Sequence, residues 1–218
     1  MVPVPGKGKQ MTDREYHDLI THYEDAGRIM RTRLEILNQK LNRGPKEEQA
    51  SCGPVHNIQW RIKAKESVEE KLKRMGLLDT SINAKDYLQD ICGIRVICYF
   101  VKDIYDMADS LKRQADLVVM KEKDYIASPK PNGYRSYHIV VGVPIYCLDS
   151  MEYFPVETQF RTISMDFWAS MEHRICYKKN ITHKEEVREE LLGYAETLKK
   201  IEERFETYNE LHIEKAGS

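Results

Sequence analysis

The chain has almost no net charge: 34 basic and 35 acidic residues leave a balance of -1. That excludes a protein that coats nucleic acid through a global basic field, so any anion site must be assembled locally. No apolar run approaches the roughly 18 residues of a membrane span, and no secretory leader is recognisable. The five cysteines, Cys52, Cys92, Cys98, Cys147 and Cys176, contain no C-x-x-C pair. An odd number without such pairs argues against a disulfide framework and for a reducing, cytoplasmic home. Cys52 and His56 have a passable ligand spacing, but no second ligand pair accompanies them, which leaves a metal site there unsupported. Internal repeats and low-complexity tracts are also missing.

What is present is dense charge and helical periodicity. Asp, Glu, Lys and Arg make up 32% of the 218 residues, against about 25% in typical domains. The length suits one domain, or a domain with helical extensions, with ample material for a core. Residues 1–11 are rich in Pro, Gly and Lys and are expected to be disordered, with 12–214 forming a single folded domain. Thr12 with Glu15 reads as a capping box. From there Ile20, Tyr23, Gly27, Met30, Leu34, Leu37 and Leu41 form a heptad-like stripe that should end near Gly44-Pro45. Val187, Leu191, Tyr194, Leu198, Ile201, Phe205 and Tyr208 repeat the pattern near the other end. Such stripes pack within a chain or between subunits, and spacing alone does not choose. Between them the pattern predicts a helix over 64–75, a strand over 93–101 and a helix over 103–115. Strands follow at 117–120, 137–143 and 151–161, the last broken near Pro155, then a helix over 164–177. This is an α+β fold, a mixed β-sheet flanked by helices, with long N- and C-terminal helices.

Two segments carry chemistry. The loop from Lys123 to His138 combines Pro, Asn and Gly with Lys, Tyr, Arg and His, more than a structural turn needs. It suits an anionic, planar ligand such as a nucleotide. Val156–Thr162 reads as a strand, in which alternation puts Glu157, Gln159 and Arg161 on one face and Val156, Thr158 and Phe160 on the other. On the helix near residue 65, Lys63, Ser67, Lys71 and Arg74 border the apolar Val68, Leu72 and Met75. Three cations and a hydroxyl can hold a polyphosphate, but Glu66, Glu69 and Glu70 neutralise much of the charge, so a solvated basic face stands as the alternative. Asp90 and Glu157 are each unremarkable acids alone. Paired at strand ends, they can share a Mg²⁺ ion.

Three motifs occur in order: Gln89-Asp90-Ile91-Cys92-Gly93-Ile94-Arg95, Gly133-Tyr134-Arg135-Ser136-Tyr137-His138 and Glu157-Thr158-Gln159-Phe160-Arg161-Thr162. With them the chain resembles the synthetase domain of the RelA/SpoT family, in particular the small alarmone synthetases of the RelP and RelQ types, over roughly residues 15 to 210. The resemblance implies a nucleotidyltransferase-like synthetase fold and a GTP/GDP pyrophosphokinase. Such an enzyme moves the β,γ-diphosphate of ATP onto the ribose 3′-hydroxyl of GDP or GTP, giving (p)ppGpp and AMP. It further implies that Arg61, Lys63, Ser67, Lys71, Arg74 and Arg95 bind ATP, the planar guanidiniums of Arg61 and Arg95 stacking on adenine. Asp90 and Glu157 would be the catalytic pair holding Mg²⁺, with Glu157 activating the attacking hydroxyl. Lys123, Lys130, Tyr134, His138 and Gln159 would bind the acceptor, Tyr134 stacking on guanine. A homo-oligomer, a homotetramer by resemblance, is implied, with no membrane and no stable nucleic-acid partner.

Two positions depart from the family pattern. Trp60 precedes Arg61 where relatives often carry a small residue, and would crowd the adenine pocket or pack over it. Asp166 stands where some relatives have Asn, close enough to the acceptor to alter nucleotide preference. His173 reads as a packed helix histidine. His17-Asp18 matches a doublet of the hydrolase domain in larger family members. It falls off the apolar stripe, so it reads as surface chemistry without hydrolase activity. Two other classes remain: a nucleotide- or RNA-binding module without turnover, opposed by the presence of Asp90 and Glu157, and a helical scaffold, which leaves the loop at 128–138 unexplained.

Overall fold

The computed structural model describes residues 11–42, 53–176 and 184–216. Its first helix, α1 (Asp13–Leu41), opens with the expected capping box, in which the Thr12 hydroxyl accepts from the Glu15 amide and the Glu15 carboxylate accepts from the Thr12 amide. Tyr23, Met30 and Leu34 of its stripe are fully buried. The helix ends with Asn42 as its cap; Gly44-Pro45 lies outside the described residues. So do residues 1–10, whereas Met11, expected in the disordered lead, is buried and bonded through its amide to the Asp79 carbonyl.

A five-stranded sheet follows, built from β1 (Val55–Ile62), β2 (Cys92–Cys98), β3 (Val118–Asp124), β4 (Tyr137–Tyr146) and β5 (Met151–Thr162). Its spatial order is β1-β2-β5-β4-β3. Only β2 and β5 run parallel; the other neighbours are antiparallel. The mixed sheet agrees with the expected α+β class. The helices α2 (Lys65–Arg74), α3 (Ser81–Tyr87), α4 (Val101–Lys112), α5 (Ile163–Cys176) and α6 (Lys184–Ala216) complete the described elements. α1 and α4 pack on the central strands. They cover the sheet face that carries Val156, Thr158 and Phe160, all fully buried.

Several boundaries differ from the sequence pattern, each for a local reason. Strand β1 and helix α3 were not anticipated. β1 is an edge strand that buries only part of alternate residues, and α3 buries Ala84 alone. Their signals are therefore weak, although the Thr80 hydroxyl that caps α3 by accepting from the Asn83 amide is legible. β3 runs on to Asp124 because it zips against β4 through Lys123 opposite His138 and Asp124 opposite Tyr137. β5 is not broken at Pro155. The β2 ladder begins one residue later, at Val156, so Pro155 has a paired neighbour on one side only, where proline is tolerated. α4 begins at Val101, earlier than expected, because the Asp103 carboxylate accepts from the Phe100 amide. Met75, assigned to the apolar stripe of α2, is 48% exposed.

The C-terminal stripe divides between two faces. Leu191 and Ala195 are buried with Trp168 of α5, whose indole N–H donates to the Leu191 carbonyl at 2.7 Å. Leu198 packs beside them. Tyr194, Ile201, Phe205 and Tyr208 are 46–64% exposed.

One contact on α1 fixes how closely it approaches the sheet. A Cβ at Gly27 would lie 2.8 Å from Cys92 Sγ and 2.9 Å from Trp60 Cε3. Gly27→Ala should therefore destabilise the fold by about 1–3 kcal/mol, the usual penalty of overpacking. Thermal unfolding checks this, at about 2–4 °C per kcal/mol for a chain of this size; an unchanged midpoint would mean that α1 can lift from the sheet freely.

Candidate functional site

The uncovered face of the sheet carries a polar row that crosses all five strands. Gln59 of β1 is opposite Arg95 of β2, Arg95 is opposite Gln159 of β5, Gln159 is opposite His138 of β4, and His138 is opposite Lys123 of β3. Directly opposed residues share a face. A second row places Arg61, Gly93 and Glu157 beside the first. An open cleft of about 350 Å³ lies over the β1–β2–β5 part, lined by Gln59, Trp60, Arg61, Lys63, Asp90, Gly93, Ile94, Arg95, Glu157 and Gln159. Gly93 leaves the floor open, with no heavy atom within 4 Å of where a Cβ would stand.

Asp90 sits at one end of the cleft. Its Oδ2 accepts from Lys63 Nζ at 2.5 Å and Lys71 Nζ at 2.7 Å. Burial would raise this carboxyl, but the two lysines hold it below the ordinary carboxylate range. Its Oδ1 is buried and has no hydrogen-bond partner. Glu157 accepts from Gln159 Nε2 at 3.0 Å, and its Oε1 lies 3.7 Å from His138 Nδ1. Burial pushes the Glu157 carboxyl up, His138 and Gln159 pull it down further, and the nearby charge of Asp90 opposes them; the net direction is down. Both acids are thus held ionised, close enough to feel one another.

Of the predicted donor-side residues, Arg61, Lys63 and Arg95 line the cleft, whereas Ser67, Lys71 and Arg74 do not. Lys71 reaches it through Asp90, while Ser67 and Arg74 stand exposed on α2. Trp60 belongs to the opposite alternation from Gln59 and Arg61. Its indole packs under α1 at Gly27 and leaves the cation row clear.

On the other side, Tyr134 OH is 2.9 Å from His138 Nε2 and accepts from Arg161 Nη2 at 2.9 Å. Lys130 Nζ lies 4.6 Å from the Tyr134 ring centre and 4.7 Å from that of Tyr125. Lys123 Nζ is 5.8 Å from Tyr125. All five predicted acceptor-side residues converge here, with Lys123 on a strand rather than in the loop. Tyr125 was missed as a member of this cluster. Its ring meets His138 at 5.4 Å and Tyr134 at 6.0 Å, both edge-on. Nothing local distinguishes Tyr125 from Tyr137, which turns to the buried face opposite Phe160.

Asp166 is a second residue whose place was only half seen. Its Oδ1 accepts from Arg161 Nη1 at 2.9 Å and lies 3.3 Å from Arg95 Nη1. It joins an arginine of the cleft to the arginine behind Tyr134. Burial together with the charges of Arg161 and Arg61 lowers the Arg95 pKa, and Asp166 works against that. Asn132 shapes the turn by accepting from the Tyr134 amide, and Arg135 points away from the cleft into a buried ion pair. His173 is exposed on α5 rather than packed, and His17 and Asp18 are exposed on α1 as expected. Cys52 lies outside the described residues; no cluster of three or more potential metal ligands occurs among the described ones.

The arrangement offers a cation-lined cleft, two ionised acids and an aromatic, basic cradle beside them. That is the equipment for bringing a polyphosphate and a nucleoside together. Residues 60–182 match the family model described as a region found in RelA/SpoT proteins. The GTP pyrophosphokinase YwaC of Bacillus subtilis is 37% identical over 197 residues, covering 85% of this chain and 94% of that protein. The GTP pyrophosphokinase YjbM of the same organism is 31% identical, covering 88% of each. Among solved structures, small alarmone synthetase 1 from Bacillus subtilis bound to its product pppGpp superposes with a TM-score of 0.77 at 29% identity, covering 90% of this chain and 97% of that one. Small alarmone synthetase 2 from that organism gives 0.77 at 35% identity, covering 90% and 98%. The chain belongs to the RelA/SpoT family.

Asp90 provides a pH-dependent test of the site. Its folded pKa is depressed, so it contributes stability above the ordinary carboxylate value that is lost as pH falls through the folded one. Asp90→Asn should lower the melting temperature at neutral pH, and the gap from wild type should shrink below the ordinary carboxylate range. A gap independent of pH would mean that the lysine clasp does not stabilise the ionised form.

Proposed function

We infer that this member of the RelA/SpoT family is a GTP pyrophosphokinase that transfers the β,γ-diphosphate of ATP to the ribose 3′-hydroxyl of GDP or GTP. The observation that carries the reading is the pair of ionised carboxylates, Asp90 and Glu157, within a cation-lined cleft that Glu157 joins to the aromatic cradle through His138. In this reading ATP takes the cleft. Arg61 and Arg95 present planar guanidiniums to adenine, and Lys63 and Lys71 stand by the polyphosphate. Ser67 and Arg74, exposed on α2 and outside the cleft lining, would reach the polyphosphate only by extending from that helix. The acceptor takes the cradle, with its base on Tyr134 and its phosphates near Lys123 and Lys130. Gln159 faces the base edge, and His138 lies between the acceptor and Glu157.

Glu157 takes the proton of the 3′-hydroxyl on a carboxylate oxygen. The hydroxyl oxygen bonds to the β-phosphorus, the bond from that phosphorus to the α,β-bridging oxygen breaks, and AMP departs with that oxygen. The His138 and Gln159 contacts keep Glu157 ionised until that moment and fix its orientation. The unpartnered Oδ1 of Asp90 and the neighbouring Glu157 fit a Mg²⁺ ion. Mg²⁺ takes one or two carboxylates and fills its shell with phosphates and water. When bound, it offsets charge on the phosphate oxygens.

The described cysteines are free thiols, and no described helix is long and apolar enough to cross a membrane. Both support the cytoplasm as the place of reaction. The exposed face of α6 (Tyr194, Ile201, Phe205, Tyr208) supports self-association, with a homotetramer as the family expectation.

Incubation with labelled ATP, GDP or GTP, and Mg²⁺ tests the activity: label should appear on the guanosine nucleotide. Glu157→Gln should cut turnover by about 10²–10⁴-fold with nucleotide binding retained. Residual turnover above about a tenth of wild type would remove it from the proton-transfer role. Tyr134→Ala should weaken acceptor binding by about 1–3 kcal/mol in calorimetric titration and spare ATP; binding without turnover in the wild type would instead indicate a nucleotide-binding module. Charging the outer face with Ile201→Glu and Phe205→Glu should give a smaller, folded species by light scattering. Unchanged mass would remove α6 from the interface.

A further inference from the structure

The acceptor-side loop is gripped from behind by a helix outside the matched family region. That region ends at residue 182, and α6 begins at Lys184. Arg135, directly after Tyr134, donates from Nη1 to Glu202 Oε2 of α6 at 3.0 Å. The two side chains are only 7% and 5% exposed. The other carboxylate oxygen is used as well: Ser164 Oγ, at the start of α5, donates to Glu202 Oε1 at 2.8 Å. On the other side of Tyr134, Gly133 has φ +88° and lies so close to α6 that a Cβ would come 2.8 Å from Ala195 Cβ.

Of the two neighbours of Tyr134, Arg135 is bonded to α6 and Gly133 lies close against it, while the Tyr134 hydroxyl is bonded to His138 and Arg161 on the sheet. A fully buried ion pair contributes little net stability compared with an apolar pair of the same size. Removing one partner alone, however, leaves an uncompensated buried charge, so displacing Glu202 from Arg135 is costly. Glu202 reaches no residue of the cleft lining directly.

We propose that Glu202 is a positioning residue for the acceptor nucleotide: through Arg135 and Ser164 it sets the backbone at 133–135 and so the plane of the Tyr134 ring. The proposal rests on the pyrophosphokinase reading and adds α6 to the working parts of the acceptor half-site. The donor half-site, built from β1, α2 and β2, meets the acceptor side through Asp166, whereas the bonds of Glu202 among the described residues go to Arg135 and Ser164.

The test compares wild type, Glu202→Gln, Ser164→Ala and Gly27→Ala, using KM for ATP, KM for GDP or GTP, kcat and the melting temperature. Glu202→Gln should raise the acceptor KM about tenfold or more with the ATP KM within about twofold, since small misplacements of a binding group carry penalties up to about 10²-fold. Ser164→Ala keeps the ion pair and should shift the acceptor KM in the same direction by less. Gly27→Ala should lower the melting temperature without moving the acceptor KM, separating position from stability. An unchanged acceptor KM in Glu202→Gln, or a parallel rise for ATP, would overturn the proposal. If that variant does not fold, Ser164→Ala decides, and an unshifted acceptor KM there overturns it. A wild type that makes no labelled guanosine product removes the functional reading and this proposal together, whereas an active wild type with an unaffected Glu202→Gln removes the proposal alone.

Discussion

Everything in the site depends on the register of β5 between β2 and β4. In a strand every second side chain points the same way, so one slip would exchange the two faces. In the observed register Val156, Thr158 and Phe160 are buried beneath the helices, and Glu157 and Gln159 face the cleft. The hydrophobic face fixes the register, and the register delivers the carboxylate. A slip would bury Glu157 without partners and expose Phe160, two penalties of several kcal/mol together. Core packing and site geometry are therefore one constraint seen from two sides of a single strand.

A chain with no net charge still assembles a strongly ionic site, because its charges are sorted by position. Lys63 and Lys71 share one oxygen of Asp90, and Asp166 binds Arg161 while standing near Arg95. Each acid keeps like-charged neighbours together that would otherwise repel. The arrangement also keeps the cations aimed before any phosphate arrives, which reduces the ordering that binding must supply. Asp166 and Glu157 both reach across the two halves, Asp166 between Arg95 and Arg161 and Glu157 between the cleft and His138. An amide in place of Asp166 would hold Arg161 through one hydrogen bond and would not offset the charge of Arg95.

The alternation at 157–161 and the chemistry of the loop before His138 were legible because both are local, whereas the motif at 89–95 and the grouping of all three came from the family resemblance. The capping box at Thr12 and the buried stripe of α1 were legible because they too are local. Other features required partners far along the chain. Tyr125 and Tyr137 look alike in sequence, and only pairing between β3 and β4 sends one to the cradle and the other to the core. Trp60 left crowding of the adenine pocket and packing over it both open, because nothing local shows that α1 offers Gly27 to receive it. The heptad spacing of the last helix gave no warning that its stripe would divide. Leu191 packs on Trp168, whereas Tyr194 and Phe205 are 57% and 64% exposed.

That division shows how the two halves of the site differ in origin. The cation-lined cleft is floored by paired strands, β1, β2 and β5, so sheet ladders hold its geometry. The part of the aromatic cradle that carries Tyr125, Lys130 and Tyr134 is a loop, and a loop has no ladder to hold it. Its rigidity must come from outside, and here it comes from two directions: hydroxyl contacts to the sheet through Tyr134, and the buried pair through Arg135. The residues that build that second support alternate on α6 with exposed apolar ones, Glu202 lying next to Ile201 in sequence. A helix that presents one face to the acceptor loop and another to solvent ties the two together mechanically. Any partner that shifts α6 must move Glu202, and with it the backbone on which Tyr134 stands.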